Sequence, residues 1–212
     1  MNGEEVVALV KRRMARFGSS TSLDADVVIE LNQAQKRLEL NPFLPWFLLS
    51  ERSTISTVEA EARIIVPTDM IREYEEGTLW VLDAQGGEHE LTKNLWDELK
   101  NDSRFDGTGR PKRYATVGLY FRLRPIPDAI YTLRMIYYKA QSVIVQDGTT
   151  NQWLTWGTDL LVAEAGFILA TSYTQNDKSA KMFRDMIPAE MTRLMIADEA
   201  RKHANIEYVG ED

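Results

Sequence analysis

The stretch Leu119 to Tyr138, LYFRLRPIPDAIYTLRMIYY, constrains this chain more than any other. Two runs of aromatic and branched residues flank a link holding Pro125, Pro127 and Asp128, a combination that suits extended strands and defeats a helix. The pattern predicts a β-hairpin or meander, with strands over 114–123 and 131–138. Alternation along the first run sets Tyr120, Arg122 and Arg124 on one face and Leu119, Phe121 and Leu123 on the other.

Helical periodicity lies on either side of this β region. Val6, Val7, Val10, Met14 and Phe17 recur at three- and four-residue spacing over 4–17, and Lys11, Arg12, Arg13 and Arg16 close that helix ahead of Gly18. Those cations either complement the helix C-terminus or form a basic patch for an acidic partner or nucleic acid. A second helix, capped by Ser22 or Asp24 and running to about Leu40, shows the stripe Val27, Leu31, Ala34 and Leu38. Pro42 ends it. The dense run Phe43-Leu44-Pro45-Trp46-Phe47-Leu48-Leu49 is then either core lining between domains or a surface buried against another subunit.

From Ser53 the period becomes two. Strands are expected around Ile55, over 62–66, 71–74 and 79–82, with a glycine turn at Gly86-Gly87 and a short helix over 91–100 capped by Thr92, with Leu95, Trp96 and Leu99 facing inward. Residues 101–112 read as an exposed loop. After the turn at Asp147-Gly148, Trp153, Leu154 and Trp156 precede a helix over 158–174 that is apolar almost all round, its Ala163, Ala165, Gly166 and Ala170 allowing close approach of a neighbour. A final helix over 177–203 carries Met182, Met186, Ala189, Arg193 and Ile196 in rough periodicity and is interrupted by Pro188. The expected fold class is therefore α+β: a discontinuous helical unit from the N- and C-terminal helices (1–50 and 153–206), a central antiparallel β-rich insertion (51–152) with one short helix, and a mobile tail at 207–212.

Several function classes lose support. The 212 residues include no cysteine, which excludes a disulfide, a thiolate nucleophile and a Cys-ligated zinc site. The two histidines, His89 and His203, lie far apart and read as surface side chains rather than metal ligands. Glu59 and Glu61 would share a strand face but lack a third ligand, and pairs such as Glu75-Glu76 do not face one another. No phosphate loop, dinucleotide fingerprint or nucleophile elbow occurs, so neither catalytic residues nor a cofactor is expected. No run approaches the ~18 apolar residues that span a bilayer, and the N-terminus does not read as a signal peptide, which points to a cytoplasmic product without a membrane partner. A net charge of −7 argues against duplex nucleic acid as the principal ligand.

What remains are surfaces. Arg104, Arg110, Lys112, Arg113, Arg122 and Arg124, interleaved with Phe105, Tyr114, Tyr120 and Phe121, are either the solvated face of a half-buried strand, a surface for an acidic protein, or a contact for single-stranded or packaged nucleic acid. Trp46, Trp80, Trp96, Trp153 and Trp156 are core or interface anchors. The candidate interface residues are Phe43, Trp46, Phe47, Tyr120, Arg122, Arg124, Trp153 and Trp156.

The run Pro111-Lys112-Arg113-Tyr114, then Leu119 to Asp128 and Tyr131 to Tyr138, with Ile64-Ile65-Val66-Pro67-Thr68-Asp69 before it and Asp159-Leu160-Leu161-Val162 after it, resembles head-to-tail connector (adaptor) proteins of tailed bacteriophages. The resemblance covers about Ala25 to Ala197. It implies a non-enzymatic structural protein of the virion neck, assembled in the host cytoplasm as a homo-oligomeric, commonly dodecameric, ring. Its implied partners are the portal protein and a downstream tail or nozzle protein, with DNA passing through the channel without sequence-specific binding. A competing class, a monomeric or dimeric module for an acidic or nucleic-acid partner, predicts salt-sensitive binding and no ring. An enzyme with an unusual carboxylate or arginine site predicts a ligand in a compact pocket.

Overall fold

The computed structural model describes residues 1–16, 24–75, 77–83 and 87–207. Phe17, Gly18, Ser22, Gly86 and the tail 208–212 lie outside them. The fold is α+β, with N- and C-terminal helices flanking a central region of strands. The chain forms two compact units, one from 1–48 with 141–212 and one from 49–140.

The helical unit is organised around α5 (Thr158–Ser172), which touches α1 (Gly3–Ala15), α2 (Asp24–Glu39), α4 (Gln152–Trp156) and α6 (Asp177–Glu207). Its sequence explains its place. Nine of its residues, from Leu160 to Ala170, are buried, spread around the circumference. At Gly166 the ring of Phe183 from α6 lies where a side chain would otherwise stand. The stripe Val27, Leu31, Ala34 and Leu38 of α2 is buried as its spacing predicts. Asn2 opens α1 with a capping box closed by Glu5. The cations ending α1 form ion pairs, Lys11 with Asp24 at 2.5 Å and Arg13 with Asp159 at 2.6 Å.

Residues 141–151, which periodicity grouped with the strands, form a strap on the helices. Asn32 of α2 exchanges two hydrogen bonds with the backbone of Ile144, and Gln35 donates to Gln141 O. Gly3 receives the strap so closely that a Cβ would lie 1.8 Å from Val145 O. Pro188 does not divide α6, which runs on past it. The stripe expected on that helix is not its buried face: Ser179, Ala180, Phe183 and Asp198 are buried, whereas Ala189, Arg193 and Ile196 are exposed.

The β unit contains two sheets. The first has the order β1 (Leu49–Ser56), β9 (Thr132–Lys139), β4 (Leu79–Leu82), β5 (Glu88–Glu90), with β3 (Met70–Glu73) taking the end of β9 that β4 leaves free. The second has the order β2 (Arg63–Ile65), β8 (Tyr120–Arg124), β7 (Arg113–Val117), β6 (Thr92–Lys93). Leu79, Val81, Leu133, Met135 and Tyr137 of the first share a core with Ile64, Tyr114, Phe121 and Leu123 of the second.

Four local expectations change here. The single strand expected over 114–123 is a hairpin, because Gly118 adopts φ 59° and folds β8 back on β7. The double-proline link does not join hairpin partners: β8 and β9 sit in different sheets, and the link is held by Gly109 N–H to Ile126 O and Ala60 N–H to Pro127 O. The helix α3 (Trp96–Asn101) starts late, since Thr92-Lys93 pairs with β7 instead, and Leu95 becomes exposed. Glu59 and Glu61 do not share a strand face, because Ala60 at φ 60° turns the chain between them.

Candidate interaction surfaces

In the helical unit the chain between Pro42 and Leu48 brings Trp46 and Phe47 against Trp156 and Trp153. A short 3-10 helix, Trp46–Leu48, is fixed by the Trp46 N–H donating to the buried Asp198 carboxylate of α6 at 2.9 Å. Trp46 meets Trp156 of α4 edge-on at 5.2 Å between ring centroids, and Phe47 meets Trp153 at 5.1 Å. Gly157 permits this, since a Cβ there would lie 2.6 Å from the Trp153 ring. The Trp153 indole N–H donates to Glu39, whose carboxyl is pushed above its usual range by burial, against opposing hydrogen bonds from the Gln141 N–H, Trp153 and Gln35.

This cluster has an inside and an outside. Phe47 and Trp153 are buried and act as the floor. Trp46 is half-buried and Trp156 is 50% exposed; Phe43, half-buried, makes no ring contact with them among the described residues. Arg201 of α6 lays its guanidinium 3.4 Å from the Trp46 ring centroid and 5.4 Å from that of Trp156. Beside Trp156 runs a cleft of about 240 Å³ between 155–160 and Glu190, Arg193, Leu194 and Ala197 of α6. Periodicity missed Asp198 and Arg201; their i,i+3 spacing on a predicted helix was the available signal.

In the β unit, alternation along β8 holds: Phe121 and Leu123 are buried while Tyr120, Arg122 and Arg124 face outward. Register shows what sequence could not. Arg63 lies opposite Arg122, Ile65 opposite Tyr120, and Arg113 opposite Arg124, so one sheet face carries four arginines. Glu61 and Asp102 serve it. Glu61 binds Arg63 at 2.8 Å, and Asp102 binds Arg104 at 2.8 Å and Arg113 at 3.6 Å, which holds both carboxyls below the usual range. Arg122 stacks over Trp96, and Arg63 over Tyr120, each 5.6 Å from the ring centroid.

A cleft of about 960 Å³ opens between β3, residues 90–93 and Tyr114. Glu73 is its centre, accepting from the Tyr114 hydroxyl at 2.9 Å and the Thr116 hydroxyl at 2.5 Å and pairing with Lys93 at 3.1 Å. Burial first, and the Glu73 charge after it, push the Tyr114 phenol well above its usual value. Glu73 thereby ties the two sheets together. His89 is exposed beside Asp83 at 3.2 Å. Among the described residues no group of three His, Asp or Glu side chains could hold a metal ion, and no helix is long and apolar enough to cross a membrane.

These residues present stacked rings and guanidinium groups. The SU10 adaptor protein model matches residues 1–206, and the chain belongs to this family of phage head-to-tail adaptors. No match was found among curated proteins. The family gives the chain a general structural, adaptor role.

Proposed function

We propose that the chain is a ring-forming adaptor of the virion neck. It joins the portal at the capsid vertex to the next tail component and leaves a channel through which DNA passes. The family match over residues 1–206 carries this reading. The ring is dodecameric and is built without catalytic residues or a cofactor. The open part of the aromatic cluster, Trp46, Trp156 and Arg201, gives the helical unit an amphipathic anchor of the kind enriched at the centre of protein interfaces. Phe47 and Trp153 support it from below. DNA passage needs weak contact, which a chain of net charge −7 supplies.

The test is the mass of the purified protein, alone and mixed with the assembled portal of its own phage, by light scattering after size exclusion. A stoichiometric large complex is expected. A persistent 24.3 kDa monomer beside a competent portal would overturn the reading. The arginine face favours one second reading, a small module that binds an acidic or nucleic-acid partner; it predicts salt-sensitive binding by a monomer or dimer and no ring.

A further inference from the structure

We propose that the arginine face of the four-stranded sheet is where a second copy of this chain docks by its acidic surface, in a head-to-tail contact. The inference rests on the ring reading above and names the partner of one surface. Arg63 opposite Arg122 and Arg113 opposite Arg124 are like charges at directly paired positions, an arrangement that weakens an isolated sheet. Conflicts of this kind survive where another function uses them. Neutralisation from within is incomplete: among the described residues neither Arg122 nor Arg124 has a carboxylate in ion-pair range, and the Arg122 Nε is buried without a hydrogen-bond partner.

Next to the arginines the sheet stops at an open edge. Leu123 N–H bonds Ala62 O and Val66 N–H bonds Leu119 O, so the antiparallel alternation points the Ile65 N–H and C=O away from β8. Ile65 is 67% exposed and Leu119 75% exposed, with Tyr120 between them and the arginines. An apolar edge adjoining cations matches a protein surface better than a phosphodiester backbone.

Charge identifies the protein. Between Arg104 and Arg124 the chain carries six cations and one carboxylate, Asp106, within a chain of net charge −7, so the remaining residues together carry a net charge of −12. Two copies cannot meet through the face itself, because arginine would oppose arginine. The contact therefore joins unlike surfaces, which is the heterologous geometry that closes into rings.

The experiment follows wild type and Arg122→Glu/Arg124→Glu, alone and mixed, by light scattering after size exclusion at low and high salt. Arg122→Gln/Arg124→Gln, which removes charge without adding repulsion, runs beside them, and circular dichroism checks folding. Wild type should assemble, with mass falling as salt rises. Both variants should associate more weakly, the charge reversal by roughly tenfold or more. In mixtures the charge-reversed chain keeps its acidic surface and lacks the basic one, so it should end growing assemblies and lower the mean mass when still in the minority.

A wild type that stays monomeric at every concentration, folded variants that assemble like wild type, or a variant that leaves wild-type mass unchanged in mixtures would each overturn the proposal. Arg122- and Arg124-dependent binding of duplex DNA without an effect on assembly would overturn it in favour of phosphate. Portal binding read on the same samples separates the two claims. If portal binding persists while the self-association results fail, the docking surface falls and the adaptor stands; if wild type neither self-associates nor binds portal, both fall.

Discussion

Gly166→Ala should destabilise the helical unit even though it removes a glycine from the middle of a helix. Propensity alone would favour alanine by about 0.8–1.0 kcal/mol. Against this, a Cβ at 166 would lie 2.6 Å from Cε1 and 2.7 Å from Cδ1 and Cζ of Phe183, where carbon atoms ordinarily rest ~3.5–4.0 Å apart. Either the ring or the α5–α6 spacing must give by about 1 Å. Phe183 is fully buried, so its ring has no solvent to swing into. Overpacking of this kind costs about 1–3 kcal/mol, which leaves a net loss of about 1 kcal/mol and a Tm lower by roughly 2–4 °C for a chain of this size. Thermal melts followed by helical ellipticity would read it. Phe183→Leu should relieve the clash, so the double-mutant cycle should give a coupling of about 1–2 kcal/mol. A Gly166→Ala chain that melts higher, or an equal penalty in both backgrounds, would refute the reasoning.

Glu39→Gln tests the buried carboxyl under the aromatic cluster. A folded pKa above the unfolded value means the folded state binds the proton more tightly, so the stability from Glu39 is full below the unfolded pKa and declines as pH rises from about 4.5 through the folded value. The amide should flatten that decline in melts taken across this window, and an unchanged pH slope would count against it. Glu73→Ala leaves the Tyr114 hydroxyl buried without its acceptor and Lys93 without its carboxylate, so urea titration should show a loss of about 1–3 kcal/mol. Arg201→Ala uncovers the Trp46 ring and should increase fluorescence quenching by a soluble quencher while costing about 0.5–1 kcal/mol; unchanged quenching would place the guanidinium elsewhere in solution.

Periodicity revealed elements whose burial is decided within one segment. The α2 stripe and the outward face of β8 follow from spacing because each buries against whatever covers one side. It failed where distant segments compete for the same residues. Thr92 could cap a helix, yet the backbone just before β7 offers its N–H a partner at Lys112 O, and α3 begins four residues later. Likewise Leu119–Tyr138 reads as one hairpin until the alternative is weighed: β8 finds partners on both sides in β7 and β2, and β9 finds them in β1 and β4. The aromatic anchors were legible as residue types, but only packing sorts Phe47 and Trp153 into the floor and Trp46 and Trp156 into the surface. The opposed arginines needed register, which no local pattern carries.

Helix lengths bear on where the helical unit engages its surroundings. At about 1.5 Å per residue, the 31 residues of α6 extend about 46 Å, whereas the 15 residues of α5 extend about 22 Å. The two cannot cover one another along their whole length. Phe183 against Gly166 fixes the contact in the first half of α6. Beyond Pro188 that helix buries little of its own surface, Asp198 being its one buried residue from there to Arg201 among the described side chains. Met195 and Ile196 are exposed on this overhang, beside the residues that line the cleft at Trp156. Helices in proteins draw most of their stability from packing, so a stretch held by the Asp198 carboxylate, the stacked Arg201 and the Arg193–Asp159 pair at 4.0 Å gains from a partner laid along it. Substituting Ile196 by lysine should therefore leave the melt of the isolated chain within about 0.5 kcal/mol of wild type while weakening its complex with the portal; equal portal binding would move the contact off this helix.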